Sequence, residues 1–118
     1  METKIPKERK KQFELIELAT KSILKWAHEH NISLVHIYPV LPFVETDFSL
    51  EAWLFLDTEN RIDEYSIDGT LELLKSRFTL ELEKVDYPKD WLQSVSFHFG
   101  SKEKVDQDYE GSFYYFLR

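Results

Sequence analysis

The sequence predicts an α+β fold: a layered sandwich in which a short, mainly antiparallel sheet of about four strands is covered by helices, in the order α-β-β-α-β-β. Three observations predict it. The first 29 residues carry apolar side chains at three- and four-residue steps, Leu50–Leu56 and residues 93–99 alternate with period two, and a second helical period broken at Gly69 lies between those strands. No internal repeat, linker or low-complexity tract divides the 118 residues, which are expected to form a single domain over 1–118.

Pro6 suits the first turn of a helix running to about Glu29. Phe13, Ile16, Thr20, Ile23 and Ala27 make its stripe, and Leu15, Leu18, Leu24 and Trp26 widen it. His30 and Asn31 form the stop, since asparagine tolerates a left-handed backbone at a helix end. Residues 33–38 read as a strand bounded by Pro39, and residues 39–47, with two prolines, as a loop.

In Leu50–Leu56 the residues Leu50, Ala52, Leu54 and Leu56 point one way and Glu51, Trp53 and Phe55 the other. Both sides turn apolar towards its end, which marks a central strand covered on part of its second face. Asp57 or Thr58 caps the next helix, and Thr70 can cap a further one in which Leu71, Leu74, Phe78, Leu82 and Val85 face inward until Tyr87 and Pro88 end it. Val95, Phe97 and Phe99 are the inward row of the clearest strand. Residues 102–108 suit one or two helical turns with Val105 and Tyr109 on one side. Residues 112–117 read as a last strand entered through Gly111, with Phe113, Tyr115 and Leu117 on one face and Tyr114, Phe116 and Arg118 on the other.

The charge is uneven. Residues 1–25 hold seven bases against four acids, so a chain of net −7 carries −10 in the remainder. Such a body repels phosphate backbones and argues against nucleic-acid binding. The chain has no cysteine, which removes disulfides, thiolate catalysis and cysteine-ligated zinc and fits a cytoplasmic protein. No apolar stretch is long enough for a signal or a membrane span.

His28 and His30 are two apart, which puts their rings on different helical faces, and His36 and His98 sit in separate strands, so no metal motif is present. Three scattered glycines cannot build a phosphate cradle or a nucleophile elbow. Two acidic clusters stand out, one from Asp57 to Asp68 and one formed by Asp106, Asp108 and Glu110; both suit helix caps and solvated faces, and both could serve a carboxylate site.

The last third resembles a group of small bacterial proteins that share a terminal pattern. In it Tyr-Pro follows a helix, then come a strand, Ser-x-Glu-x-Val, an acidic or polar gap, an aromatic, x-Gly-Ser or x-Gly-Asn, and a final aromatic strand closing on a base. The matching residues are Tyr87 and Pro88; Ser101, Glu103 and Val105; Tyr109, Gly111 and Ser112; and Tyr114, Tyr115 and Arg118, with Phe55–Asp57 and Asp68–Thr70 also fitting. Some proteins of this look are immunity proteins of contact-dependent or other polymorphic toxin systems. The resemblance implies no catalytic residues. Together with the acidic body and the missing catalytic motifs it leads to the expectation of a non-enzymatic, cytoplasmic protein that occludes the active site of a toxin, such as a basic nuclease, with no cofactor and no metal.

The expected partner contacts are Asp57, Glu59, Asp63, Glu64, Asp106, Asp108, Tyr109, Glu110 and Tyr114. The expected partner is a protein, with no nucleic acid or membrane, and the chain is expected to be a monomer or homodimer. Two other readings stay open: a small hydrolase or transferase pairing carboxylates with His36 or His98, and a structural or regulatory subunit pairing through the aromatic last strand.

Overall fold

A computed structural model describes residues 6–117; the charges of Glu2 and Lys4 and the terminal Arg118 lie outside the described residues. Helix α1 (Lys7–Glu29) starts after Pro6, whose missing N–H costs nothing at a helix entry. It stops where Asn31 takes φ 56°. The central strand β2 (Leu50–Leu56) pairs antiparallel with β1 (Leu34–Val40) and parallel with β3 (Val95–Ser101), so the sheet has the order β1-β2-β3.

A parallel pair requires a crossover of a dozen or more residues. Residues 57–94 supply it with α2 (Glu59–Asp68), α3 (Thr70–Lys84) and α4 (Lys89–Leu92). Thr58 caps α2 by accepting the Arg61 N–H at 3.1 Å, and Gly69, at φ 89°, joins α2 to α3. After β3 come α5 (Lys102–Asp108), capped by the Ser101 hydroxyl, and α6 (Phe113–Phe116).

One face of the sheet carries Leu34, Ile37, Leu50, Ala52, Leu54 and Leu56 and packs against Ile16, Ala19, Ile23 and Ala27 of α1, Tyr65 of α2 and Leu74, Phe78 and Leu82 of α3. The buried stripe of α1 is rotated from the expected one: Arg9 and Gln12 are buried, while Phe13 and Leu18 are exposed. The polar pair is satisfied internally. Gln12 Oε1 accepts from Arg9 at 2.8 Å, and its Nε2 donates to the Phe48 carbonyl and the Tyr87 hydroxyl, both at 2.9 Å. Burial raises the Tyr87 phenol above its ordinary value.

The other face carries His36, Tyr38, Trp53, Phe55, His98 and Gly100, read from the strand register. Here the structure corrects the expected architecture. Among the described residues there are three strands in a mixed sheet, not four in a mainly antiparallel one, and the order is α-β-β-α-α-α-β-α-α. Residues 112–117 hold no strand. The Ser112 hydroxyl accepts the Tyr115 N–H at 3.2 Å and caps a single helical turn.

At i,i+3 spacing Phe113 and Phe116 share one side of that turn and both meet Phe55, with ring centroids at 4.6 and 5.4 Å. Tyr114 and Tyr115 are left outward. Alternation would have separated Tyr114 from Tyr115; a turn of four residues fits either period, and contact with Phe55 selects the helical one.

A Cβ on Gly100 would stand 2.7 Å from Cε1 and 3.0 Å from Cδ1 of the fully buried Phe55 ring. Replacement of Gly100 by alanine is therefore expected to lower unfolding free energy by about 1–3 kcal/mol, because the ring has no free space to retreat into. Urea denaturation compares the two proteins, and an unchanged midpoint would show that the sheet and α6 can separate without cost.

Candidate functional site

The strongest concentration of charge is assembled where β2 and β3, running parallel, end side by side. Helices α2 and α5 both begin there and are tied to each other: the Glu103 N–H donates to the Asp57 carbonyl at 3.1 Å, and the Glu59 N–H donates to Glu103 Oε1 at 3.1 Å. The carboxylate of Glu103 thus neutralises an open donor at the start of α2, where the helix dipole favours negative charge. Residues 57–68 and 102–111 contain nine acids and three bases, a net of −6. Two stretches 44 residues apart become one acidic shoulder.

Some of the expected contact residues are already engaged. Asp57 accepts from the Thr58 N–H at 2.9 Å, and Arg61 spans both its oxygens at 3.2 Å. The hydrogen bond from Arg61, followed by that from Thr58, holds the Asp57 carboxyl below its ordinary value, while partial burial works the other way. Glu64 accepts from Arg61 at 3.2 Å and from Asn60 at 3.1 Å. Asp106 pairs with Lys102 at 2.6 Å, and Asp108 stands 3.9 Å from Lys104. Glu59 and Asp63 are exposed on α2.

Glu110 is exposed at φ 53°, next to Gly111 at φ 79°. The Gly111 N–H closes the end of α5 on the Val105 carbonyl at 3.0 Å. A glutamate in the left-handed region costs backbone energy that a glycine would not. Tyr109 is half-buried, with its ring 5.3 Å from that of Phe116, and Tyr114 is 58% exposed beside Tyr115, which is 52% exposed.

Sequence reading alone missed Glu103 and Tyr115. The signal for Glu103 was its place in the first turn after a Ser101 cap. Tyr115 was masked by the assignment of a strand.

The histidines named for a hydrolytic reading sit on the second sheet face, away from these acids. His36 stacks on Phe113 at 4.1 Å, and desolvation lowers its pKa from the ordinary 6.5. His98 stacks on Trp53 at 4.7 Å, and its buried Nε2 lies 3.3 Å from Glu51 Oε1 without hydrogen-bond geometry. Among the described residues, no hydrogen bond or ion pair joins either histidine to the acids of α2 or α5, and no group of three histidines or carboxylates could hold a metal ion. A surface hollow of about 730 Å³ is lined by Glu83, Asp86, Tyr87, Pro88, Lys89, Leu92 and Gln93, with no histidine.

No helix among the described residues is long and apolar enough to cross a membrane. Comparison with protein-family models, with curated proteins and with solved structures finds no match.

Two outcomes follow from these conformations. Glu110→Gly is expected to raise stability by roughly 0.5–1 kcal/mol by relieving the left-handed strain; a loss on urea denaturation would mean that the side chain holds the turn. His36, with its folded pKa below 6.5, contributes stability that is complete above 6.5 and is lost as pH falls beneath it. Urea midpoints measured from about pH 7.5 down to about pH 5 should fall less in His36→Phe than in the parent, and equal slopes would remove His36 as the titrating group.

Proposed function

We propose that the protein is a non-enzymatic inhibitor of the immunity type, which binds a basic toxin domain through the acidic shoulder of α2 and α5 and covers its active site. The observation that carries this reading is the joining of the two acidic stretches by Glu103, which gathers a net −6 at one end of a chain whose total is −7. A field of that sign draws in a basic partner and speeds encounter, and carboxylates there can take the places of substrate phosphates.

Asp63, Asp108 and Glu110 extend that field over α2 and the turn after α5, and the exposed rings of Tyr114 and Tyr115 lie on the following helix. Tyrosines next to a charged rim are the usual composition of an interface centre. The strained backbone at Glu110 agrees with this: a residue kept at an unfavourable φ in place of glycine points to a use for its side chain. The hydrolase or transferase reading lacks such support, because the acids of α2 and α5 and the histidines belong to different surfaces, and Glu51, 3.3 Å from His98, makes no hydrogen bond to it. Pairing through a last strand has no strand to work with, since residues 113–116 are helical.

Co-expression with the products of adjoining genes tests the proposal. The expected result is protection from, and stable binding to, a toxic neighbour. In that complex Asp63→Lys combined with Asp108→Lys should slow association about tenfold at low salt, with the difference closing as salt rises. Failure to bind or protect would overturn the reading, and salt-independent rates would move the contact away from the shoulder.

A further inference from the structure

The loop between β1 and β2 lies at the opposite end of the sheet from the acidic shoulder, separated from it by the length of β2, about 20 Å for seven residues. It is held in place from within. Arg9, itself buried, donates to the carbonyls of Val44 and Asp47 at 2.9 and 2.7 Å and lies over the Phe48 ring at 5.4 Å. Gln12 donates to the Phe48 carbonyl, and Phe48 stacks on Trp91 at 4.3 Å. On this fixed base Phe43 is fully exposed and Val44 is 62% exposed. A hollow of about 330 Å³ opens beside them, lined by Val40, Leu41, Pro42, Phe43, Ser49 and Glu51. An apolar prong and an apolar hollow therefore share one patch.

We infer that this end is a self-association surface whose occupant is a second copy of the same chain, each Phe43 seated in the other's hollow across a two-fold axis. Such an interface must be self-complementary, and here both halves of the fit lie next to each other. Charge selects the same occupant. With −6 gathered on the shoulder, the rest of the chain sums to −1, so two copies meet with least repulsion through the end remote from it. That end mixes signs: exposed Lys7, Lys10 and Lys11 lie in the first turns of α1, which Arg9 bonds to the loop, and Glu45, Asp47 and Glu51 lie in and beside the loop. A two-fold can set the bases of one copy against the acids of the other, twice over. Because Arg9 and Gln12 have already ordered the loop, docking loses little further conformational freedom. The acidic shoulder stays open in such a dimer.

Sedimentation equilibrium of the full chain, from low micromolar to near-millimolar concentration, is the test. The expected result is a reversible dimer whose dissociation constant rises on the order of thirtyfold in Phe43→Ser, as for truncation of a central aromatic anchor. Phe43 is fully exposed, so the variant should keep the parent's unfolding midpoint. Ile67→Ser, at another highly exposed apolar position, on α2, should leave the dimer intact. A monomer at every concentration, a dimer indifferent to Phe43→Ser, or equal loss in Ile67→Ser would each overturn the inference.

Discussion

The contact between Phe55 and Gly100 constrains most of the molecule. Phe55 is fully buried on the sheet face opposite the main core, although a three-stranded sheet can hide only one face under α1 and α3. The second face needs its own cover. Gly100, without a side chain, lets the ring lie close to β3, and α6 brings Phe113 and Phe116 against it. Trp53, Tyr109 and His36 join through edge and stacked contacts, so a short terminal segment becomes part of a second, aromatic core.

Two polar devices organise the ends of the sheet. At one end Glu103 bridges α5 to the first amide of α2, which lets two helices start side by side and collects their acids on one shoulder. At the other end Arg9 and Gln12, buried in a helix face that would otherwise be apolar, supply donors to the backbone carbonyls of a nine-residue connection, residues 41–49. Those donors pair carbonyls that an exposed loop would otherwise leave to water, and so hold the connection in one conformation. One device concentrates charge and the other fixes an apolar tip, and the sheet keeps the two apart.

Much of this was legible in the residues. The length of α1, its stop at Asn31, the two-sided burial of β2, the inward row of β3, the break at Gly69 and the cap at Thr58 all follow from periodicity and local backbone preference. The rotation of α1 did not, because a helix with apolar residues on more than one side cannot reveal that Gln12 rather than Phe13 will be buried. Of the candidate site, the acids and Tyr114 were visible as residue types, whereas the bridge by Glu103 depends on two chain segments meeting.

By itself the sequence determined the local elements, the charge imbalance and the kinds of chemistry that the chain lacks cysteine and clustered glycine to perform. Tertiary structure alone decided the parallel pairing of β2 with β3, the helical state of residues 113–116 and the union of the two acidic stretches. The physical reason is common to all three. Each is a choice between local conformations or pairings of similar energy, and each is settled by a contact distant in sequence: the crossover that makes β3 parallel, the Phe55 ring under α6, and one carboxylate reaching an amide 44 residues away.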